Sequence, residues 1–273
     1  MDVPGVTIEI HESHDKGDSP MGTIAICTRD HLNAATATAL WTTDYSFVTP
    51  GKYVERVVVQ GSILTLQRNE CAKRAAGDWL LFIDDDMVWS PLDVGRLVNS
   101  WADTQKEFDE PILMGALCHR RTPPYDPTLY ARAQSDSGSY RFLETWGTDL
   151  VEVDATGLAF LLIPVAAFER MSGMEWPSVE QRAMLNPPPI FKWDGGLGED
   201  IRFCQEAKSA GCRIMVDTRI AIGHISEVAI GRRHFLQEVA NRTQAEEDFI
   251  RETNEAFGIP TLTREQARRE LGW

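Results

Sequence analysis

No run in this chain is both long enough and apolar enough to cross a bilayer. The longest, Leu158 to Phe168, is interrupted by Pro164 and falls short of the ~20 residues a spanning helix needs. The start, Met1-Asp2-Val3-Pro4, has no basic segment leading into an apolar one, so no secretory signal is expected. Basic residues are scarce: 27 Lys and Arg against 41 Asp and Glu give a formal net charge of −14. That balance excludes a broad nucleic-acid-coating or polybasic membrane surface, though not a local basic groove. Cysteine is limited to five widely spaced residues with no CxxC pair, which reads as free buried thiols in a reducing compartment. There is no internal repeat, and no Ser sits in a G-x-S-x-G elbow, so a hydrolase triad of that kind is excluded. A soluble, cytoplasmic protein without a membrane anchor is the expectation.

What is present is ordinary globular composition, 43% hydrophobic and 25% charged over 273 residues. That suits one large α/β domain or one domain with an appended piece. The central feature is Leu80-Leu81-Phe82-Ile83-Asp84-Asp85-Asp86-Met87, an apolar run of strand length that ends in three consecutive carboxylates. Adjacent acids repel, and the cluster becomes favourable when a divalent cation with a preference for oxygen ligands neutralises it. The alternative is a solvated acidic turn. Acids at the C-terminal end of a buried strand also sit where open α/β sheets bind ligands.

Around that stretch the chain alternates. Residues 1–20 form a polar lead. A strand at Thr23–Cys27, a helix over Leu32–Tyr45 and a strand at Tyr53–Val59 follow. A helix over Leu64–Ala76 then turns Leu66, Cys71 and Ala75 inward and stops at Gly77, ahead of the acid-tipped strand. This is the βαβαβ half of a doubly wound sheet. Ser90 as N-cap with Pro91 behind it starts the next helix, and Pro111–Leu117 is a further strand. The segment 119–150 reads as a long loop with a hairpin near Tyr140–Leu143. Later come an apolar strand Leu158–Ile163, a short helix from Pro164 to Gly173, and a loop over 174–198 rich in Trp, Pro and Gly. Glu199-Asp200 open a helix through Ala210. Arg213–Asp217 and Ile220–Ile222 are two short strands leading to Gly223-His224, and terminal helices cover 233–257 and 263–271, the last with a Thr263/Gln266 capping box.

In order, then, the chain offers a βαβαβ start, a basic residue on the second helix, an acidic strand end, and an acid pair on a later helix followed by Gly-His. This pattern resembles the GT-A fold glycosyltransferases, nucleotide-sugar-dependent enzymes close to family 2, including virus-encoded types. The matching residues are Ala25-Ile26-Cys27-Thr28-Arg29, Arg68-Asn69 with Ala72, Ala75 and Gly77-Asp78, and Phe82-Ile83-Asp84-Asp85-Asp86 as the DxD motif. Thr156-Gly157, Gly198-Glu199-Asp200 as the ED motif, and Asp217 through His224 complete the set, over roughly residues 22–226.

The resemblance implies an α/β, Rossmann-like, mostly parallel sheet flanked by helices, with a C-terminal helical extension. Its domains would be a catalytic part over 21–226 (nucleotide-binding half 21–118, acceptor half 119–226) and helices over 227–273. It implies a hexosyltransferase type of enzyme that moves a sugar from a nucleotide-sugar, a UDP-sugar first, to a hydroxyl of a soluble saccharide, small molecule or protein. Mn²⁺ or Mg²⁺ would clamp the diphosphate. Asp86 and His224 would be direct metal ligands, with Asp84 on the ribose or a metal-bound water. Thr28, Arg29, Gln60, Arg68 and Asp85 would belong to the donor site, Thr156, Gly157 and Trp193 to the acceptor. Glu199 and Asp200 would be catalytic, with Asp200 the general base if configuration inverts and a sugar-orienting group if it is retained. The helix N-terminus would lower the Asp200 pKa. Gln60-Gly61-Ser62 departs from the family, which usually carries a base-reading acid there.

Other readings compete. One is a DNA glycosyltransferase acting on hydroxymethylated bases, reaching DNA through a local basic track of Arg120, Arg121, Arg132, Arg141, Arg232, Arg233 and His234; the net charge speaks against it. A nucleotidyltransferase would want a Gly-rich loop where Cys27-Thr28-Arg29-Asp30-His31 stands. A non-catalytic sugar-binding protein would not need Asp84, Asp86, Asp200 and His224 together.

Overall fold

The structure, a computed structural model, describes residues 7–10, 18–121, 125–133, 139–143, 147, 149–185, 187–193, 196–226, 232–256 and 261–272. They fall into two compact units, Met1–Ser226 and Glu227–Trp273.

The first unit begins with strand β1 (Thr7–Ile10), inside the stretch expected to be a polar lead. It continues through β2 (Ser19–Thr28), helix α1 (Ala34–Thr42), β3 (Lys52–Gln60), α2 (Leu64–Arg74), β4 (Trp79–Asp84), β5 (Met87–Val88), α3 (Asp93–Gln105) and β6 (Ile112–Leu117). Then come β7 (Leu129–Arg132), β8 (Tyr140–Phe142), β9 (Leu150–Glu152), β10 (Ala155–Thr156), β11 (Phe160–Pro164), α4 (Val165–Ser172), α5 (Val179–Leu185), α6 (Glu199–Ser209), β12 (Arg213–Ala221) and β13 (Gly223–His224).

The main sheet has eight strands in the order β1-β3-β2-β4-β11-β6-β12-β9. Pairing directions show that β3, β2, β4, β6 and β12 point the same way, while β11 between β4 and β6 and the two edge strands run opposite. The α/β class and the mostly parallel sheet are therefore as expected. The two strands expected over 213–222 are one, bent by an irregularity between Asp217 and Ala221.

Strand alternation builds the core. Ala25, Cys27, Leu80 and Phe82 face α2, α4 and α6, burying with Cys71, Phe168 and Phe203. Ile24, Ile26, Leu81 and Ile83 face the opposite side, against Ala39 of α1 and Val94, Leu97 and Val98 of α3. With layers on both faces, β4 is buried up to Ile83, and its end carries the acids to a rim. Gly77 makes the turn into β4 possible. Its φ is +80°, and a Cβ would stand 2.4 Å from the Met21 carbonyl carbon.

Two local expectations fail. Leu66 is 44% exposed, because Gln67 and Arg68 take the inward face of α2. Ser90 does not cap α3; its N–H instead donates to the Asp93 carboxylate at 2.8 Å, and the helix starts at Asp93.

The second unit consists of α7 (Arg232–Asn241), α8 (Gln244–Ala256) and α9 (Arg264–Leu271). Its own small core holds Leu236, Val239, Ala240 and Ala267, and α9 starts with the Thr263/Gln266 capping box. Among the described residues no helix is long and apolar enough to cross a membrane. All five cysteines are free and buried.

Candidate active site

The acidic rim is shaped by register. After Asp84 the chain turns and β5 pairs antiparallel with β13, so that His224 lies opposite Met87 and the Ile225 N–H donates to the Asp86 carbonyl at 2.8 Å. This two-stranded sheet sets His224 Nε2 3.2 Å from Asp86 Oδ1. The other ring nitrogen, Nδ1, lies 3.0 Å from the His119 carbonyl oxygen. A carbonyl only accepts, so Nδ1 carries a proton and Nε2 is the nitrogen turned to the carboxylate. The Asp86 contact, with burial opposing it, raises the His224 pKa. Burial also works against the Asp86 carboxylate, but His224 and the Arg121 guanidinium, 2.8 Å from Oδ2, outweigh it and lower its pKa.

Asp84 has a different environment. It meets Arg68 of α2, whose side chain is only 3% exposed and whose Nη2 lies 3.4 Å from Asp84 Oδ1. The same guanidinium donates through Nη1 to Glu199 Oε1 at 2.9 Å. Burial raises the Asp84 pKa in spite of Arg68. For Arg68 burial acts against the charge, and Asp84, Glu199 and Asp200 more than restore it, leaving the pKa raised. One turn of α2 thus joins the acidic strand end to the start of α6. Its next residue, Asn69, holds the proline-rich strap before α6: its amide donates to the Phe191 carbonyl and its oxygen accepts the Ile190 and Phe191 N–H groups.

These groups surround a cleft with two adjoining lobes. The first, about 510 Å³, is lined by Arg29, Gly61, Ser62, Leu64 and the side of the rim formed by Asp84, Asp85 and Asp86. The second, about 330 Å³, is lined by Arg68, Tyr130, Gly157, Glu199 and Asp200. Asp84, Arg121 and His224 border both. Asp200 accepts the Ile201 N–H at 2.8 Å through Oδ1. Its pKa is nonetheless raised, chiefly by burial. The lowering expected from the helix N-terminus is thereby overturned, because desolvation of the carboxylate exceeds what the helix end returns.

Not every residue singled out from the sequence reaches the cleft. Thr28 is buried and donates to the His31 carbonyl. Gln60 donates to the Asp30 carbonyl, and its neighbours Gly61 and Ser62 line the first lobe instead. Thr156 is buried, its carbonyl accepting from the Cys204 thiol, so of the three acceptor candidates Gly157 alone lines the second lobe. Trp193 is 72% exposed and lines neither lobe. Of the basic track, Arg121, on Asp86, and Arg120, over the Phe142 ring at 5.6 Å, do line the second lobe; the side chains of Arg232, Arg233 and His234 lie outside the described residues. Sequence reasoning missed Tyr130 and gave Arg121 only a place on that track. The basic character of 119–121 was the available signal.

Among the described residues no group of three or more His, Cys, Asp and Glu side chains could by itself hold a metal ion. Asp86 Oδ1 and His224 Nε2 stand 3.2 Å apart at the border of the first lobe.

Residues 59–145 match the family Glycosyl transferase family 2. No curated protein matches the chain in sequence. Among solved structures the chain is similar to A197 from STIV (TM-score 0.45, 15% identity, 75% of this chain and 86% of that one). It is also similar to GalNAc-T7 with UDP, GalNAc and Mn²⁺ (TM-score 0.48, 12% identity, 77% of this chain). That alignment spans 43% of the length of GalNAc-T7. The family match covers about a third of the chain and takes in α2 and the acidic strand end.

Proposed function

We propose that this protein is a metal-dependent glycosyltransferase that moves a sugar from a nucleoside-diphosphate donor, a UDP-sugar first, to the hydroxyl of an acceptor. The observation that carries the reading is the approach of Asp86, in the first lobe, to His224, which borders both lobes, with Asp200 lining the second. The residues fit a divalent cation: the His119 carbonyl takes the Nδ1 proton, so Nε2, beside a carboxylate oxygen, is the nitrogen that a cation would take in place of a proton. Two protein ligands leave room for phosphate oxygens and water, which Mn²⁺ and Mg²⁺ accept. Bound there, the cation would neutralise the charge that grows on the departing diphosphate.

This chain's own side chains then divide the remaining work. Arg29, Ser62 and Asp85 border the larger lobe, where the nucleotide is placed. The acceptor is placed in the smaller lobe beside Tyr130 and Gly157. Glu199 is committed to Arg68, so Asp200 is the carboxylate left to take the acceptor's proton as its oxygen attacks the anomeric carbon. The raised pKa makes Asp200 a better proton acceptor than an ordinary Asp.

Release of nucleotide from UDP-, GDP- and dTDP-sugars, with and without Mn²⁺, tests the reading. Slow metal-dependent hydrolysis of one donor, lost in Asp86→Ala and His224→Ala, is expected. Absence of both Mn²⁺-dependent hydrolysis and Mn²⁺-dependent nucleotide binding sinks it.

A further inference from the structure

Arg121 borders both lobes, and its guanidinium is already engaged. Nη1 donates to Asp86 Oδ2 at 2.8 Å while His224 faces Oδ1, so both oxygens of that carboxylate meet a cationic or proton-bearing group. The Arg121 side chain is 61% exposed, which makes this pair weak and easily exchanged. It contrasts with Arg68, which is fully enclosed and bound to two carboxylates.

We propose that Arg121 couples metal and nucleotide binding: it stands on Asp86 in the free protein, and it moves to the donor's diphosphate when a cation takes Asp86. This rests on the metal-dependent reading given under Proposed function. The physical argument has two parts. A divalent cation and a guanidinium on one carboxylate repel each other, so Arg121 opposes binding of the metal alone. Once displaced, the guanidinium remains tethered at the boundary of the two lobes. A diphosphate chelated by the metal still presents free anionic oxygens there, and the planar fork of Arg matches them in two parallel hydrogen bonds. Arg121 therefore works against the metal by itself and in favour of the metal with nucleotide. The linkage is reciprocal, and each ligand strengthens the other.

The test is Mn²⁺ binding to the full chain, followed by the EPR signal of free Mn²⁺, without and with UDP, and with GDP and dTDP in parallel so that the base does not decide the answer. Wild type, Arg121→Ala and Arg121→Lys are compared, with far-UV circular dichroism as a folding control. For Arg121→Ala we expect Mn²⁺ alone to bind several-fold tighter and nucleotide at saturating Mn²⁺ to bind about tenfold weaker, the range of one charge-assisted contact. Arg121→Lys keeps the charge without the fork and falls between. Opposite signs on the two affinities are what a residue that merely supports the fold cannot produce. If Arg121→Ala leaves Mn²⁺ affinity unchanged or weaker, or leaves nucleotide affinity intact, the inference is overturned while the functional reading stands. If wild type binds neither Mn²⁺ nor any of the three nucleotides, both fall together.

Discussion

Asp84 and Asp86 stand two residues apart at one strand end, yet the protein holds them in opposite ways. Asp84 leans on a guanidinium that solvent barely touches and that also grips Glu199 across the cleft. Asp86 leans on a half-buried imidazole and an arginine that is mostly in water. Their pKa values move apart accordingly, Asp84 up and Asp86 down. The first arrangement is a fixed joint between the strand end and α6, costly to break because it would strand charges away from water. The second is exchangeable, since the mostly exposed Arg121 can leave Asp86 without disturbing the core.

Substitution on each side should separate these roles. Asp86→Ala and His224→Ala give the largest effect, a loss of about 10²–10³-fold in metal-dependent donor hydrolysis, the scale of removing one group that stabilises developing charge. Stability should barely change, because such partly exposed pairs contribute about 1 kcal/mol or less. Arg68→Met should do the reverse in kind, lowering unfolding free energy by about 3 kcal/mol in a urea titration. The lower end of the range applies because Asp84 and Glu199 retain 31% and 25% exposure. Equal urea midpoints for Arg68→Met and Asp86→Ala would erase the distinction. Asn69→Ala extends the fixed joint to the strap at 190–191. Its loss removes the hydrogen bonds to Thr65, Ile190 and Phe191, worth about 2 kcal/mol together. Tryptic cleavage after Lys192 should quicken, and an unchanged cleavage rate would mean the strap does not depend on Asn69.

The same contrast explains what could be read from the chain beforehand. Strand β4 and its acids were legible because an apolar run bounded by Gly77 and three carboxylates is a local signal. So was the Thr263/Gln266 cap, whose two hydrogen bonds lie within four residues. Arg68 could be placed on α2, but its burial could not: helical periodicity suggests Leu66 inward, and the chain instead spends that face on Gln67, which satisfies the Thr28 and Val59 carbonyls, and on Arg68. Arg68 meets Glu199 from 131 positions away and Asp86 meets Arg121 from 35 away, while the β5–β13 register brings His224 to Asp86. Such pairings leave no trace in local spacing. Trp193 lines neither lobe for a related reason, since an aromatic in a Gly-rich loop signals either a stacking surface or exposure, and the fold decides which.

The smallest stability effect concerns Asp200, where activity and stability should pull against each other. Burial raises its pKa in the folded state, above the ordinary value of about 3.9 that the unfolded chain retains. Between those two pH values the native protein holds the extra proton, so stability falls as pH rises through the window and stays reduced above it. Asparagine carries no charge and can still accept the Ile201 N–H. Asp200→Asn should therefore be more stable than wild type at neutral pH, with the gap closing as pH falls toward the ordinary aspartate range. The same variant should lose sugar transfer, and in the wild type the acid limb of transfer should lie above the pH at which a free Asp titrates. A variant that is less stable at neutral pH would instead make Asp200 a structural acid at the start of α6. An acid limb at the ordinary aspartate value would assign the base to another group.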